Sequence, residues 1–280
     1  MQTKLFAAAL LVAALALPPA SVHALRVAPP PGPTRIVQSD AVFVGRVLQI
    51  EPIDVDAKPY PASKTTVKYR VAVVKVNTII RGLKTEKMVR VGFIPFVQPK
   101  PGRPIIGGRR GGPQVTVGQE GLFMISKHSS GKFYMAPDYG YFVSAEQKNF
   151  DDEIKTARKV VAMMGNAEAY LKSKDADERL LAASLLISQY RTPKGASVEE
   201  PISAAQTKLI LNALATAKWQ QRRFGDPDPW TLFNQLGAKD GWKYPQKIRN
   251  RDDLRDAVQA WIRAHGETYR IKRFVPRAEK

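Results

Sequence analysis

Residues 39–50 read Ser-Asp-Ala-Val-Phe-Val-Gly-Arg-Val-Leu-Gln-Ile. Val42, Phe43, Val44, Val47 and Ile50 are residues that fit a pleated, half-buried surface, so the stretch predicts a long strand over 41–50. Gly45 lies inside it, where a glycine marks a bulge or a sharp bend. A first strand that is long and bent is what a sheet needs in order to close on itself.

The segments that follow are strand-like. From Lys64 to Asn77 the pattern alternates, with Val67, Tyr69, Val71 and Val73 on one face and Lys68 and Arg70 beginning the other. Met88–Phe93, Gly121–Ser126 and Phe133–Ala136 read as three more strands, with Ser129-Ser130-Gly131 as the hairpin turn before the last. Tyr141-Phe142-Val143 adds a short closing strand. Five strands with a bent first one predict a Greek-key barrel of the OB type over residues 36–146.

Near Gln147 the period changes to that of helices. Asn149 stands before Asp151, Asp152 and Glu153, a helix start with matching charge, and Gly165 ends the segment. A short helix is expected over 167–172. Asp175 and Glu178 have capping-box spacing. The run from Leu180 to Tyr190 is apolar on nearly every side, which predicts a central helix. Further helices open at Pro201 or Ser203, at Asp228-Pro229 with Gly237 beyond its end, and at Asn250 and Asp253 with Gly266 as the stop. The fold class is therefore expected to be α+β and multi-domain, with an all-α helical bundle over 147–270 and a basic tail over 271–280.

Two resemblances add to this. The segment from Ser39 to Val47, the Ile80-Arg81-Gly82-Leu83 turn and Val117-Gly118-Gln119-Glu120-Gly121-Leu122-Phe123 resemble the netrin-like OB-fold modules that include the tissue inhibitors of metalloproteinases. The resemblance covers about residues 36–143 and implies the fold. In those inhibitors an N-terminal cysteine meets the protease zinc, and this sequence has no cysteine, so their activity does not carry over. Asp175, Arg179, Ala182 and Ala183 are similar to one helix of a HEAT-like repeat, of which the chain holds a single copy.

The start of the chain has the parts of an export signal. Lys4 is followed by an unbroken apolar run from Leu5 to Leu17, then Pro18-Pro19, then Val22-His23-Ala24. The run spans about 20 Å as a helix against a hydrocarbon core of ~30 Å, which favours cleavage after Ala24 over a membrane anchor. Residues 1–24 are thus expected to be a signal peptide, 25–35 a proline-rich linker, and the mature protein periplasmic or extracellular. Without cysteine, its stability must come from burial, and thiolate chemistry is excluded.

The formal net charge is +19, and +18 without Lys4, with the excess spread over both halves. Such a chain is drawn to polyanions in a salt-dependent way. The segment that stands out is Gln98–Gln114, which holds four prolines, five glycines and the four cations Lys100, Arg103, Arg109 and Arg110. Those four are the candidate binding residues, since arginine on a flexible backbone suits phosphate, sulfate or carboxylate contacts. All four tryptophans (Trp219, Trp230, Trp242, Trp261) fall in the second half, several beside cations such as Arg222 and Arg223; the expectation is that they are core residues with a wet edge.

Catalytic motifs are missing. The mature chain has two histidines, His128 and His265, too few for a His-based zinc site. No GxSxG elbow or GxxxxGK[ST] loop is present. Asp54/Asp56 and Asp226/Asp228 have DxD spacing but lack the further oxygens a Ca²⁺ site needs. The expectation is an exported, non-enzymatic binding or scaffold protein without cofactor or metal, engaging an anionic polymer or a protein partner through the barrel face and the 98–114 segment. The alternatives are an enzyme acting on an extracellular polymer with carboxylates in a cleft between the two parts, and a structural envelope component.

Overall fold

A computed structural model describes residues 32–95, 115–137, 139–193, 195–220 and 225–277. The expected signal peptide and the whole 98–114 segment, with Lys100, Arg103, Arg109 and Arg110, lie outside the described residues, as do Arg222 and Arg223.

Helix α1 (Gly32–Gln38) comes first, where the proline-rich composition had pointed to an extended lead-in as far as residue 35. Pro33 is compatible with the first turn, where an amide hydrogen has no partner to lose. Ile36 and Val37 are buried, and that burial holds so short a helix in place. Its end is closed by Arg81, whose guanidinium donates to the carbonyls of Ile36 (2.9 Å) and Val37 (3.0 Å).

Strand β1 (Ala41–Ile50) is the hub. It pairs antiparallel with β3 (Val67–Arg81) on one side and with β5 (Glu120–Lys127) on the other. The short β2 (Val55–Ala57) adds to β3. β4 (Met88–Phe93) runs antiparallel to β3, and β6 (Tyr134–Met135) lies parallel to β4 and antiparallel to β5. The pairings therefore return to their start in the order β1, β3, β4, β6, β5, β1, a ring of five strands. After a 3-10 turn at Tyr139–Tyr141, β7 (Phe142–Ser144) extends β5.

The bend expected at Gly45 is present: the β1–β3 register shifts between Val44 and Gly45, and a Cβ there would stand 2.6 Å from the Lys75 carbonyl oxygen. The ring encloses Phe43, Val47, Ala72, Val74, Val91, Phe123 and Ile125, with Phe43 and Phe123 stacked at 5.2 Å. On β3 the inward residues are thus Ala72 and Val74. Val67 and Tyr69, which alternation put on the apolar face, belong instead to a second cluster with Ala57 of β2 and Phe133. Both sides of this strand are covered, so periodicity alone does not tell inside from outside.

The second half starts with α2 (Phe150–Gly165), α3 (Ala167–Leu171) and α4 (Ala176–Arg191). Ala157, Val160 and Met163 of α2 and Leu185 of α4 pack with α1 against Val42 and Val44 of β1, Leu122 and Met124 of β5, and Val143. Helices thus cover the β1–β5–β7 side of the ring. Leu180, Ala183, Leu186 and Ile187 on the rest of α4 join a separate helical core, so the helix is central as its sequence predicts.

Next come β8 (Ser197–Pro201), α5 (Ala204–Ala215), α6 (Pro229–Gln235), α7 (Arg251–His265) and β9 (Lys272–Pro276). Asp175, Ser203, Asp228 and Asn250 each accept an amide hydrogen bond at a helix start, as predicted. Two details differ. The Asn149 side chain makes no cap bond and turns to Glu153. Glu178 accepts from the Ser173 hydroxyl at 2.8 Å, and it is that hydroxyl, not Glu178, that receives the Asp175 amide.

The second half is not all helix. β9, read as basic tail, pairs antiparallel with β8, read as part of the bundle. Lys272 and Arg273 lie 3.9 and 3.8 Å from Glu199 and Glu200. Two five-residue strands so far apart in sequence leave no local pattern to find.

Candidate functional site

Where β1 ends and β3 begins, the ring opens into a cavity of about 900 Å³. Ile50 to Asp54 supply one wall, Lys68 and Arg70 a second, Phe93 and Pro95 a third, and Val115 to Val117 the fourth. Pro95 and Val115 are the residues between which the 96–114 segment runs. The four candidate cations belong to that stretch of sequence and lie outside the described residues.

The rim is charge-balanced. Arg90 grips Glu51 with two bonds of 2.7 Å and donates a third, 2.8 Å, to the Lys132 carbonyl. The hydrogen bond from Arg90 holds the Glu51 carboxyl below its ordinary range, and Glu51 in turn raises Arg90. Arg70 lies 3.4 Å from Asp54, and Lys68 lies 3.6 Å from Asp56. The Asp54/Asp56 pair is thus occupied by cationic side chains of β3, and no group of His, Asp or Glu able to hold a metal occurs among the described residues. Beside these exposed ion pairs the rim carries two exposed apolar side chains, Ile53 at 77% and Val117 at 62%.

Beside the cavity, the outer face of β1, β3 and β4 is uncovered. Arg46, Lys75 and Met88 follow one another across the three strands, all exposed, with exposed Leu48 nearby.

His128 begins the β5–β6 hairpin as a buried residue. The Ser130 amide donates to its Nδ1 at 3.1 Å, so the ring proton belongs on Nε2, 3.0 Å from the Lys58 carbonyl oxygen. The ring stacks on Phe133 at 4.5 Å and meets the edge of Tyr69. Burial pushes its pKa below the usual histidine value. It is a structural pin. His265 stacks on Trp261 at 5.4 Å at the end of α7, in the other half of the chain, and the two histidines share no site.

A second cavity, about 640 Å³, lies between α1, α4 and the start of α6. It holds Asp226 and Asp228, the carboxylates that an enzymatic reading would need. They come from one short loop and do not face each other across the cavity. Asp228 is committed: it caps α6 through Thr231 and pairs with Arg251 at 2.8 Å. Burial alone would raise its pKa, but the bonds from Thr231 and Arg251 prevail and hold it below its usual value, the wrong direction for a general acid.

The tryptophans match the core expectation. Trp219 and Trp261 are buried, their N–H groups bonded to the Leu214 and Asp240 carbonyls at 3.1 and 2.9 Å. Trp230 and Trp242 are half-buried against the same helical core. The second cavity was not visible in the sequence, because its walls come from three helices far apart in the chain and none carries a motif.

Among the described residues, no helix is long and apolar enough to cross a membrane. Compared with known proteins, the chain matches no family model and no curated sequence.

Proposed function

We propose that this chain is an exported, non-enzymatic binding protein that uses an OB-like, netrin-like barrel followed by a helical bundle. What supports the barrel is the closed strand order, with β6 inserted between β4 and β5 as a Greek-key path requires. Binding is assigned to the cavity at the end of the ring together with Lys100, Arg103, Arg109 and Arg110.

The observation that carries this reading is that Pro95 and Val115 both line that cavity. The sequence between them holds the four cations, and the cavity wall offers paired charges beside the exposed apolar Ile53 and Val117. The rim's charged groups are paired with one another, and Ile53 and Val117 are its exposed apolar side chains, which favours a protein partner at the rim over a polyanion. Any polyanion affinity then resides in the 98–114 segment.

The test is elution of residues 25–280 from an anionic polymer column, beside a form whose 98–114 segment is a Gly-Ser linker. Elution of the linker form at clearly lower salt supports the segment as a binding element. Identical elution assigns the affinity to diffuse surface charge and removes the segment from the proposal.

A further inference from the structure

We infer that the cavity between α1, α4 and α6 binds a neutral polyhydroxylated ligand, of the size of a mono- or disaccharide. Its volume, about 640 Å³, is within the range of small-molecule sites.

The ligand class follows from where the protons of the lining groups go. A hydroxyl has one hydrogen to give. The Ser184 hydroxyl gives its hydrogen to the Leu181 carbonyl at 2.7 Å, Thr192 to the Ser188 carbonyl at 2.7 Å, and Thr231 to Asp228 at 2.8 Å. What these groups still offer the cavity is lone pairs. The Gln38 amide nitrogen is directed to Ser188 and Thr192, which leaves its carbonyl oxygen. Asp226 has neither an ion pair nor a hydrogen bond among the described residues. Among the described residues the one cation of the lining is Arg191, which is engaged by Glu199 at 2.7 Å, by the Lys272 carbonyl at 3.1 Å, and by the Phe274 ring at 4.7 Å. Thr34, Ser188 and Gln235 add hydroxyl and amide groups that can both give and accept, so the wall suits a ligand that does both.

Organic cations bring donors only, whereas a polyol both gives and accepts through each hydroxyl. The chain carries a formal charge of +19, which repels cations at range. A polyol supplies O–H donors without charge, and Leu181, Leu232 and Pro227 give its C–H face an apolar floor. Gln38, Ser188 and Thr192 also line an adjoining cavity of about 230 Å³. The bonds that hold this partition are long, 3.4 and 3.3 Å, so a ligand hydroxyl can replace them at little cost.

The experiment is amide-resolved NMR of residues 25–280 titrated with glucose, N-acetylglucosamine and maltose, with cyclohexanol and spermidine as controls. The expected result is a saturable shift of the Gln38 side-chain amide with at least one saccharide and with neither control. Asp226→Ala, on an exposed loop, should weaken that binding about tenfold, as loss of a bond to a charged acceptor does. Ser188→Ala should weaken it as well. The inference is overturned if no saccharide moves the Gln38 signals, if spermidine or cyclohexanol moves them as strongly, or if both variants bind like the parent chain.

Discussion

The Nε2 atom of His128 lies 3.0 Å from the carbonyl oxygen of Lys58, a residue of the loop between β2 and β3. This bond joins that loop to the β5–β6 hairpin through one neutral imidazole. Its Nδ1 is already an acceptor for the Ser130 amide, and Phe133 and Tyr69 cover its faces, so no carboxylate stands by to welcome a second proton.

Acid should therefore weaken the protein at this point. The folded-state pKa of His128 is depressed, so the unfolded chain binds the proton more readily. The stabilisation is complete above the unfolded histidine value, about 6.5, and is lost as pH falls from there toward the folded value. Urea midpoints measured across this interval should fall for the parent chain. His128→Gln should be less stable at neutral pH and show a flatter slope; an equal slope in both proteins removes His128 as the cause.

Gly82 and Gly131 both have positive φ, 80° and 71°, yet a side chain would meet very different surroundings. A Cβ at Gly82 would stand 1.8 Å from the Asp40 carbonyl oxygen, while at Gly131 nothing lies within 4 Å. Gly131→Ala should cost about 1 kcal/mol, from backbone strain alone. Gly82→Ala should cost clearly more, about 3 kcal/mol or above, because backbone must move. Paired chemical denaturation of the two variants tests the difference.

The Glu51–Arg90 pair is part-exposed, with side-chain exposures of 22% and 43%, but its geometry is bidentate. Arg90→Gln should cost about 1 kcal/mol, at the upper end for exposed pairs, and the cost should shrink in high salt. A double-mutant cycle with Glu51→Gln separates the pair from the bond to Lys132.

Ile53→Ala with Val117→Ala should leave folding stability within about 0.5 kcal/mol, since both side chains are largely in solvent. If the rim is the contact surface for a protein, the same double variant should lose partner capture. Loss of stability instead would make the two residues part of the fold.

Much of the fold was legible in the sequence because local rules agree with the tertiary answer. Gly45 stands where β1 bends because a Cβ there would have no room, and Asp228-Pro229 opens α6 because cap and ring constraint coincide. Where tertiary contacts override pattern, the reading failed: α1 is held because Ile36 and Val37 are buried, and β9 forms by pairing along its whole length with β8. The candidate site was only half readable. Composition marks Lys100 to Arg110, but the cavity at the end of the ring is made by Ile53, Arg70, Pro95 and Val115, which meet only after the ring closes.

The parallel join of β4 to β6 rests on two residue pairs, Val91 with Tyr134 and Gly92 with Met135. Every other junction of the ring, apart from the equally short β5–β6 join, is longer. The circle therefore has a clasp, and thermal opening should start there: the amides around β6 should exchange with solvent at a lower free energy than those of β1, which has a neighbour on each side. Unfastening the clasp frees the edge of β4 that ends in Phe93 and Pro95. The width of the cavity at the end of the ring is thus tied to the weakest hinge in the sheet, and a partner seated there would be expected to tighten it.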